Sequence, residues 1–321
     1  MRVVTAAEID DALSFPALVD ALSDALCAKI VTPPRHHHSI ARDGAPATLL
    51  LMPAWTGAAL GGFLGVKIVS VFPDNSAKGL PSVLGTYLLM DGETGSPVAA
   101  LDGTRLTLWR TAAASALAAR HLARPDTTRM VMVGAGALAP FLIRAHASQR
   151  PIASVKLWNH NAEKARRTAA ELTRQGLPVE AAEDLEAAVG EADLVCCATL
   201  SAAPLVHGAW LKAGAHLDLV GAFNLHMREA DDAALRRASV YIDTPAARTE
   251  GGDVALALAS GAIPEKHIKG DLFGLCRGEA RGRARPDEIT AFKSVGSAIE
   301  DLAAAMLVWE TCSREDVMME A

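Results

Sequence analysis

The sequence predicts an α/β protein with two domains, one of which is built on a doubly wound parallel sheet. Three observations support this. The 321 residues are enough for two domains of ordinary size. After residue 129, short apolar strands alternate with helices, which is typical of a parallel sheet covered on both faces. Earlier in the chain several strands follow one another without helices between them, which indicates a separate mixed or antiparallel sheet.

The first part of the chain predicts helix, then strands, then a long helix. Thr5-Ala-Ala-Glu8 has the form of a capping box, and apolar positions at helical spacing continue from it to Leu26. Strand-like runs follow at 47–52, 64–71 and 83–90, separated by turn-rich sequence. Residues 104–123 predict one alanine-rich helix, which ends before Pro125.

The second part predicts the parallel sheet and a returning helix. We expect strands at 129–133, 154–158, 179–182, 194–198, 216–220 and 240–243, and helices at 140–148, 162–175 and 184–190. An apolar helix at 294–310 would return to the first domain. The expected division is therefore a discontinuous α+β domain for substrate binding and dimerisation, 1–115 completed by 295–321, and a dinucleotide-binding domain, 116–294.

Composition excludes several classes of protein. The 31 basic and 37 acidic residues give a net charge of −6, and no long basic run is present, so we expect no nucleic-acid partner. No apolar stretch reaches the ~20 residues of a membrane span, so we expect no membrane partner. The N-terminal residues carry acids instead of an apolar signal, and the five cysteines form no CxxC pair. We therefore expect reduced thiols and a cytoplasmic protein.

A glycine motif marks the cofactor site. Val131-Met-Val-Gly134-Ala-Gly136-Ala-Leu-Ala139 has the GxGxxA form between an expected strand and helix. Gly134 permits the tight turn, Gly136 lets a pyrophosphate approach the backbone, and the small third residue lets strand and helix come close. The helix N-terminus then offers N–H groups to the phosphates. This context predicts a Rossmann fold that binds a dinucleotide.

The residue after the second strand of this fold selects the cofactor. An acid there would bind the adenosine ribose and repel a 2′-phosphate. The sequence has Asn159 at this place, followed by His160, and no acid precedes Glu163. Asn159 can bond either ribose, while His160 and Lys164 could meet a phosphate. We therefore expect NADP(H) to be preferred, with NAD(H) possible.

Three cations of the first domain are candidate substrate ligands. Lys67 interrupts an apolar strand, Arg110 lies in an apolar helix, and Arg35 precedes His36-His37-His38. A buried cation needs an anionic partner, which is either a structural carboxylate or the carboxylate of a substrate. Consecutive histidines on a strand alternate between its two sides, so we expect no metal at the histidine run.

At this point the sequence resembles the ornithine cyclodeaminase and mu-crystallin family, over about residues 30 to 310. The resemblance is carried by several segments along the chain: Leu51-Met-Pro53, Gly65-Val-Lys67, Gly79-Leu-Pro-Ser82, Arg110-Thr-Ala-Ala-Ala-Ser115, Gly134-Ala-Gly136, Val220-Gly-Ala222, Arg228-Glu229 and Lys293-Ser-Val-Gly296. It implies a two-domain fold, usually a homodimer, with a nicotinamide cofactor held in the cleft between the domains.

The resemblance also implies roles for individual residues. Arg35, Lys67 and Arg110 would bind the substrate carboxylate and flank the reactive C–N bond, with Lys67 and Arg110 catalytic. Together with the glycine motif, the expected cofactor contacts are Ser82, Arg110, Gly134, Gly136, Ala137, Leu138, Asn159, His160, Thr199, Val220, Gly221 and Val295.

One departure from the family pattern favours a reductase. Cyclodeaminases have Val-Gly-Gly-Asp after the fifth strand, and the aspartate acts on the substrate's amino group. The present sequence has Val220-Gly-Ala-Phe223, so that base is missing. We expect reduction of a cyclic imino acid, 1-pyrroline-2-carboxylate and/or 1-piperideine-2-carboxylate, to L-proline or L-pipecolate. We also expect no acidic side chain at the three cations.

Other activities stay open from the sequence. Ornithine cyclodeaminase, which releases ammonia from L-ornithine and recycles its NAD, is the main alternative. An amino acid dehydrogenase and a non-catalytic NADPH-binding protein are also compatible with the resemblance.

Overall fold

A computed structural model of the chain describes residues 1–57 and 62–319. The chain divides into two compact units, which we call unit 1 (Met1–Thr111 with Ser297–Ala321) and unit 2 (Ala112–Gly296). The divisions expected from the sequence, after residues 115 and 294, lie a few residues away from these. Unit 1 is therefore discontinuous, with the chain leaving it for unit 2 and coming back.

Unit 1 contains a seven-stranded mixed sheet. Its strands run in the order β1-β7-β6-β5-β4-β2, with β3 also paired to β4, and only the β1–β7 pair is parallel. The mixed or antiparallel sheet predicted from successive strands is thus confirmed. The strands are β1 (Arg2–Val4), β2 (Ile30–Val31), β3 (His36–Ile40), β4 (Ala47–Thr56), β5 (Phe63–Val71), β6 (Val83–Asp91) and β7 (Pro97–Asp102).

Unit 2 contains an eight-stranded sheet in which every pairing is parallel. The order is β10-β9-β8-β11-β12-β15-β13-β14, so the doubly wound Rossmann sheet predicted from the alternating pattern is confirmed. The strands are β8 (Arg129–Val133), β9 (Ser154–Trp158), β10 (Val179–Ala181), β11 (Leu194–Cys197), β12 (His216–Leu219), β13 (Ser239–Ile242), β14 (Ile268–Asp271) and β15 (Thr290–Lys293).

Helices complete both units. In chain order they are α1 (Ala6–Ala12), α2 (Phe15–Cys27), α3 (Gly103–Leu122), α4 (Ala139–Gln149), α5 (Ala162–Arg174), α6 (Leu185–Glu191), α7 (Asp232–Arg237), α8 (Gly252–Ala259), α9 (Leu272–Arg277) and α10 (Ala298–Met319). The long alanine-rich helix α3 is as predicted. Among the described residues, no helix is long and apolar enough to cross a bilayer.

Two sequence expectations about elements are wrong. The capping box of Thr5 and Glu8 is present, but the helix it begins stops before Leu13, and Ser14 caps a second helix that has Pro16 in its first turn. At the other end of the chain, the helix expected at 294–310 begins later, at Ala298, and continues to Met319, and the short strand β15 before it was not expected. This strand is only four residues long and ends near Gly296, whose φ of +82° suits glycine.

The sheet of unit 1 has one covered face and one open face. Helix α10 lies against β4, β5 and β6, and it also contacts α1 and α2. Met52, Lys67 and Tyr87 are cross-strand neighbours on the covered face and are buried. The open face carries partly exposed apolar side chains from the same three strands: Leu51, Pro53, Trp55, Leu64, Val66, Ile68, Leu88 and Met90.

Candidate active site

The glycine turn of unit 2 has the geometry of a phosphate site. Gly134 follows β8 with a φ of +110°, and a Cβ there would lie 2.5 Å from the carbonyl oxygen of Ala198. Around Gly136 there is open space, with no atom within 4 Å of a Cβ built at that position. Helix α4 begins three residues later at Ala139. A pyrophosphate could therefore approach the Gly136 backbone and the N–H groups at the start of α4.

Asn159 follows β9 directly and is bound to the glycine turn. Its Oδ1 accepts a hydrogen bond from the Ala135 N–H at 3.3 Å, and its Nδ2 donates to the Asn161 carbonyl at 3.2 Å. The neighbouring side chains of His160 and Lys164 are exposed. The position at which an acid would select NAD is thus occupied by an amide fixed beside the turn. Ala137 and Leu138, also expected cofactor contacts, lie between Gly136 and α4, where Ala137 is exposed and Leu138 partly exposed.

Two further expected contacts, Thr199 and Gly221, are joined by a buried carboxylate that the sequence reasoning assigned no role. Glu229 accepts hydrogen bonds from the backbone N–H of both residues, at 2.6 and 2.7 Å. Val220, which precedes Gly221, is buried at the end of β12. The sequence held one signal for Glu229, its place in the segment Arg228-Glu229 that resembles the family.

Val295 is fixed in a similar way by Asp243. The Asp243 carboxylate accepts hydrogen bonds from the N–H groups of Val295 and Gly296 at 2.6 and 2.7 Å. Asp243 is buried directly after β13, and burial raises its pKa against the opposing effect of these hydrogen bonds. Because Val295 follows the short buried strand β15, it lies at the same sheet edge as Thr199 and Gly221.

The remaining expected cofactor contacts, Ser82 and Arg110, belong to unit 1. Ser82 is partly exposed just before β6, and its hydroxyl donates weakly to the Pro73 carbonyl at 3.5 Å. Arg110 lies on α3 and is 6% exposed.

In unit 1, Lys67 and Arg110 share one carboxylate. Lys67 Nζ lies 2.8 Å from each oxygen of Asp301, and Arg110 Nε lies 3.1 Å from its Oδ1. Arg110 Nη1 also donates to Glu300 at 2.7 Å. Lys67 further donates to the Thr107 hydroxyl at 3.4 Å. Strand β5, helix α3 and helix α10 thus bring two cations and two acids together inside unit 1.

These contacts correct the expectation that no acidic side chain lies at the cations. Of the two kinds of anionic partner that the sequence allows, the structure pairs Lys67 and Arg110 with structural carboxylates. The charges of the four groups cancel, which is what their burial requires. The sequence held a usable signal, because Glu300 and Asp301 interrupt an otherwise apolar, alanine-rich helix in the way that Lys67 interrupts its strand.

The protonation of Lys67 is set by its surroundings. Burial, reinforced by the Arg110 charge, lowers the pKa of the Lys67 ammonium to about 8, while Asp301 acts in the opposite direction. Its cross-strand neighbour Tyr87 is also buried, which raises the pKa of that phenol. The Tyr87 ring lies over Gly65, where a Cβ would be 2.2 Å from the phenol oxygen. A lysine with a pKa near neutrality can donate a proton and be reprotonated at physiological pH.

Arg35 directly precedes β3 and is partly exposed. His36 pairs with Leu51 on β4, and the next β4 residue, Met52, pairs with Lys67. Arg35 is the residue before His36, so its backbone lies near the level of the Met52–Lys67 pair, about two strand spacings (about 10 Å) from β5. The histidine run, by contrast, is exposed along β3.

Comparison with known proteins agrees with this architecture. The sequence model of the ornithine cyclodeaminase/mu-crystallin family matches residues 2–316. The chain belongs to this family. Within it, a Delta(1)-pyrroline-2-carboxylate reductase of Paracoccus denitrificans is 42% identical over 247 residues, covering 76% of this chain and 78% of the relative.

Solved structures of family members share the whole fold. A Delta(1)-pyrroline-2-carboxylate reductase of Thermococcus litoralis, in complex with NADH and L-proline, has a TM-score of 0.92 and 31% identity, with 98% of each chain covered. An archaeal alanine dehydrogenase dimer with bound NAD has a TM-score of 0.90 and 28% identity, with 98% of this chain and 97% of that chain covered. Both of these structures combine this fold with a bound nicotinamide cofactor.

Proposed function

We propose that this protein is an oxidoreductase that uses NAD(P)H to reduce a cyclic ketimine carboxylate. The substrate is 1-pyrroline-2-carboxylate and/or 1-piperideine-2-carboxylate, and the product is L-proline or L-pipecolate. The observation that carries the proposal is Lys67, a buried ammonium whose pKa is lowered to about 8 beside Arg110. The names of the Paracoccus and Thermococcus relatives support it, as does the binding of L-proline, the reduced product, by the latter.

The residues of unit 1 supply substrate binding and a proton. Arg110 is held in one orientation by Glu300 and Asp301 through Nη1 and Nε. Arg110 and Arg35 would receive the planar carboxylate of the imine. Lys67 donates to Asp301 and Thr107, and its ammonium would be the proton source for the substrate nitrogen.

The reaction balances with one hydride and one proton. When bound, NAD(P)H would supply a hydride to C2 of the imine, and the π electrons of the C=N bond would pass to nitrogen. Lys67 gives its proton to that nitrogen and becomes neutral, which a pKa of about 8 permits. Solvent then reprotonates Lys67. Asp301 acts here as a positioning residue, since it fixes Nζ and keeps enough negative charge nearby for the ammonium to persist.

For the cofactor, we propose that NADPH is preferred and NADH accepted. Asn159 can bind the ribose hydroxyls of either cofactor, and no carboxylate at that position opposes a 2′-phosphate. His160 and Lys164 are exposed on the adjoining residues and can approach the phosphate.

We propose a homodimer for the assembly, with a second copy of the chain covering the open face of the unit 1 sheet. That face is apolar over three adjacent strands and includes Trp55, which is 41% exposed. A continuous apolar surface of this kind is unusual on a monomer. The dimeric state named for the archaeal alanine dehydrogenase supports the same assembly.

A substrate screen tests the activity. The cyclic imines obtained from proline, pipecolate and 3-hydroxyproline are each incubated with the protein and NADPH or NADH, and loss of reduced cofactor is followed. We expect imine-dependent oxidation that is lost in Lys67→Met. Release of ammonia from L-ornithine with no net change in cofactor, and no reaction with any imine, would identify a cyclodeaminase instead.

A further inference from the structure

The Glu229 carboxylate joins two loops of unit 2 that follow neighbouring parallel strands. Its Oε1 accepts hydrogen bonds from the Thr199 N–H at 2.6 Å and the Thr199 hydroxyl at 2.9 Å. Its Oε2 accepts from the N–H groups of Gly221 at 2.7 Å and Ala222 at 3.3 Å. Strand β11 ends two residues before Thr199, and β12 ends two residues before Gly221. The carboxylate therefore ties together two chain segments at the edge where such sheets bind dinucleotides.

The groups joined by Glu229 are in close contact, and the backbone of Glu229 is itself held by hydrogen bonds. A Cβ at Gly221 would lie 2.1 Å from the Thr199 carbonyl oxygen and 2.5 Å from Glu229 Oε1, so the three groups are in close contact. The backbone of Glu229 is itself anchored, because its N–H donates to Asp253 Oδ1 at 2.7 Å and its carbonyl accepts from the N–H groups of Leu205 and Val206. A rigid side chain thus determines the spacing of the two loops.

Charged and titratable side chains from several elements surround the Glu229 carboxylate. Lys293, at the end of β15, is the cation of the cluster, and it lies 3.3 Å from Asp253 on α8. Asp243, after β13, also faces Lys293, and the Cys197 thiol of β11 faces Glu229 with its pKa raised by burial. Burial and the Asp253 charge raise the pKa of Glu229 to about 7, although Lys293 and the backbone hydrogen bonds lower it.

We propose that Glu229 is a positioning residue for the cofactor, and that the dinucleotide binds the form of the protein in which this side chain is ionised. The inference rests on the proposed function only in taking Thr199 and Gly221 as cofactor contacts. All four hydrogen bonds are accepted by carboxylate oxygens. A protonated carboxyl group has an O–H in place of one acceptor lone pair, so at least one of the four donors, a loop N–H or the Thr199 hydroxyl, loses its acceptor.

The consequence is a cofactor affinity that depends on pH. With a pKa of about 7 in the free protein, the ionised fraction falls about tenfold between pH 8 and pH 6, and the Kd for the dinucleotide rises by the same factor. By reciprocity, binding at pH 7 releases about half a proton, because it draws the equilibrium toward the ionised form.

The test measures binding of NADH to the full chain by fluorescence titration at pH 6, 7 and 8. NADH is the probe because, unlike NADPH, it carries no 2′-phosphate that titrates near this range. Wild type is expected to show the tenfold change, together with proton release detected by a pH indicator. In Glu229→Gln, the amide NH₂ faces a backbone N–H, so NADH should bind at least tenfold more weakly at pH 8, and with no pH dependence.

Asp218 offers a matched buried carboxylate in the same unit. It accepts hydrogen bonds from Ser115 at 3.1 Å and Cys196 at 3.0 Å and contacts His146 at 3.1 Å, but no expected cofactor residue. Asp218→Asn should lower thermal stability while keeping the tenfold pH dependence of NADH binding. A purely structural role for Glu229 would instead give the two variants the same behaviour.

The outcomes separate this inference from the proposed function. If wild type binds NADH equally well at pH 6 and pH 8, or if Glu229→Gln keeps the wild-type profile, the inference is wrong even when imines are reduced. If Glu229→Gln does not fold, the pH dependence of NADH binding by the wild type and the proton release on binding still test the inference. Glu229-dependent binding without turnover of any imine would overturn the proposed reaction and leave the inference standing.

Discussion

Replacing Asp301 by asparagine should change the pH at which the enzyme works. Asp301 is fully buried, both its oxygens lie 2.8 Å from Lys67 Nζ, and it also binds Arg110. The substitution keeps the shape of the side chain and removes its charge. Among the described residues that act on the Lys67 charge, Glu300 is then the acid that remains opposite Arg110, and burial of the ammonium is no longer compensated.

The size of the effect follows from the separation of the charges. Unit charges about 4 Å apart attract by about 4 kcal/mol at an effective dielectric constant near 20, which corresponds to about three pKa units. We therefore expect the pKa of Lys67 to fall from about 8 by two to three units. The ammonium form at pH 7 then drops from most of the protein to a few per cent, and kcat/KM for the imine falls about 10- to 100-fold.

The assay is the pH profile of kcat/KM for 1-pyrroline-2-carboxylate with saturating NADPH. Wild type should lose activity as pH rises through about 8, because Lys67 loses its proton. In Asp301→Asn this alkaline limb should move to lower pH. Glu300→Gln is the matched control, since Glu300 binds Arg110 and affects Lys67 less. An alkaline limb that stays near pH 8 in Asp301→Asn would refute the proton-donor role of Lys67.

Three further outcomes are expected. Lys67→Met should lower kcat/KM by at least about 100-fold while leaving the Kd for NADH unchanged, as measured by fluorescence titration. Gly65→Ala should lower the free energy of unfolding in urea by about 1–3 kcal/mol, because its Cβ would overlap the Tyr87 ring. Lys164→Ala should raise the KM for NADPH several-fold and leave that for NADH unchanged, by loss of a phosphate contact. Each of these variants touches a different part of the proposed site.

The controls for these outcomes come from the same chain. Gly176 has a positive φ, and no atom lies within 4 Å of a Cβ built there. The stability lost in Gly176→Ala therefore measures backbone strain alone, without overlap with a ring. Lys156→Ala removes an exposed cation of β9 that pairs with Glu180. Equal losses with both cofactors in Lys164→Ala would argue against a phosphate contact, and an unchanged stability of Gly65→Ala would argue against the close contact with Tyr87.

A good part of the fold could be predicted from local sequence. The capping box at Thr5, the glycine turn before α4 and the alternation of β and α in unit 2 all depend on residues close together in the chain. Several short elements were missed, and among them β14 and β15 are four residues each and lack a flanking pattern of their own. Their place in the sheet is set by neighbouring strands, so it could not be inferred from periodicity.

For the site, the sequence by itself determined which side chains need partners, and only the tertiary structure decided which partners they have. A lysine in an apolar strand is a local fact that calls for an anionic partner, and the glycine turn before α4 is a local fact that predicts a dinucleotide site. The partner of Lys67 lies 234 residues away on α10, and Glu229 meets Thr199 and Gly221 only because parallel strands align their ends. Burial makes a counter-charge necessary, but packing alone chooses the helix that provides it.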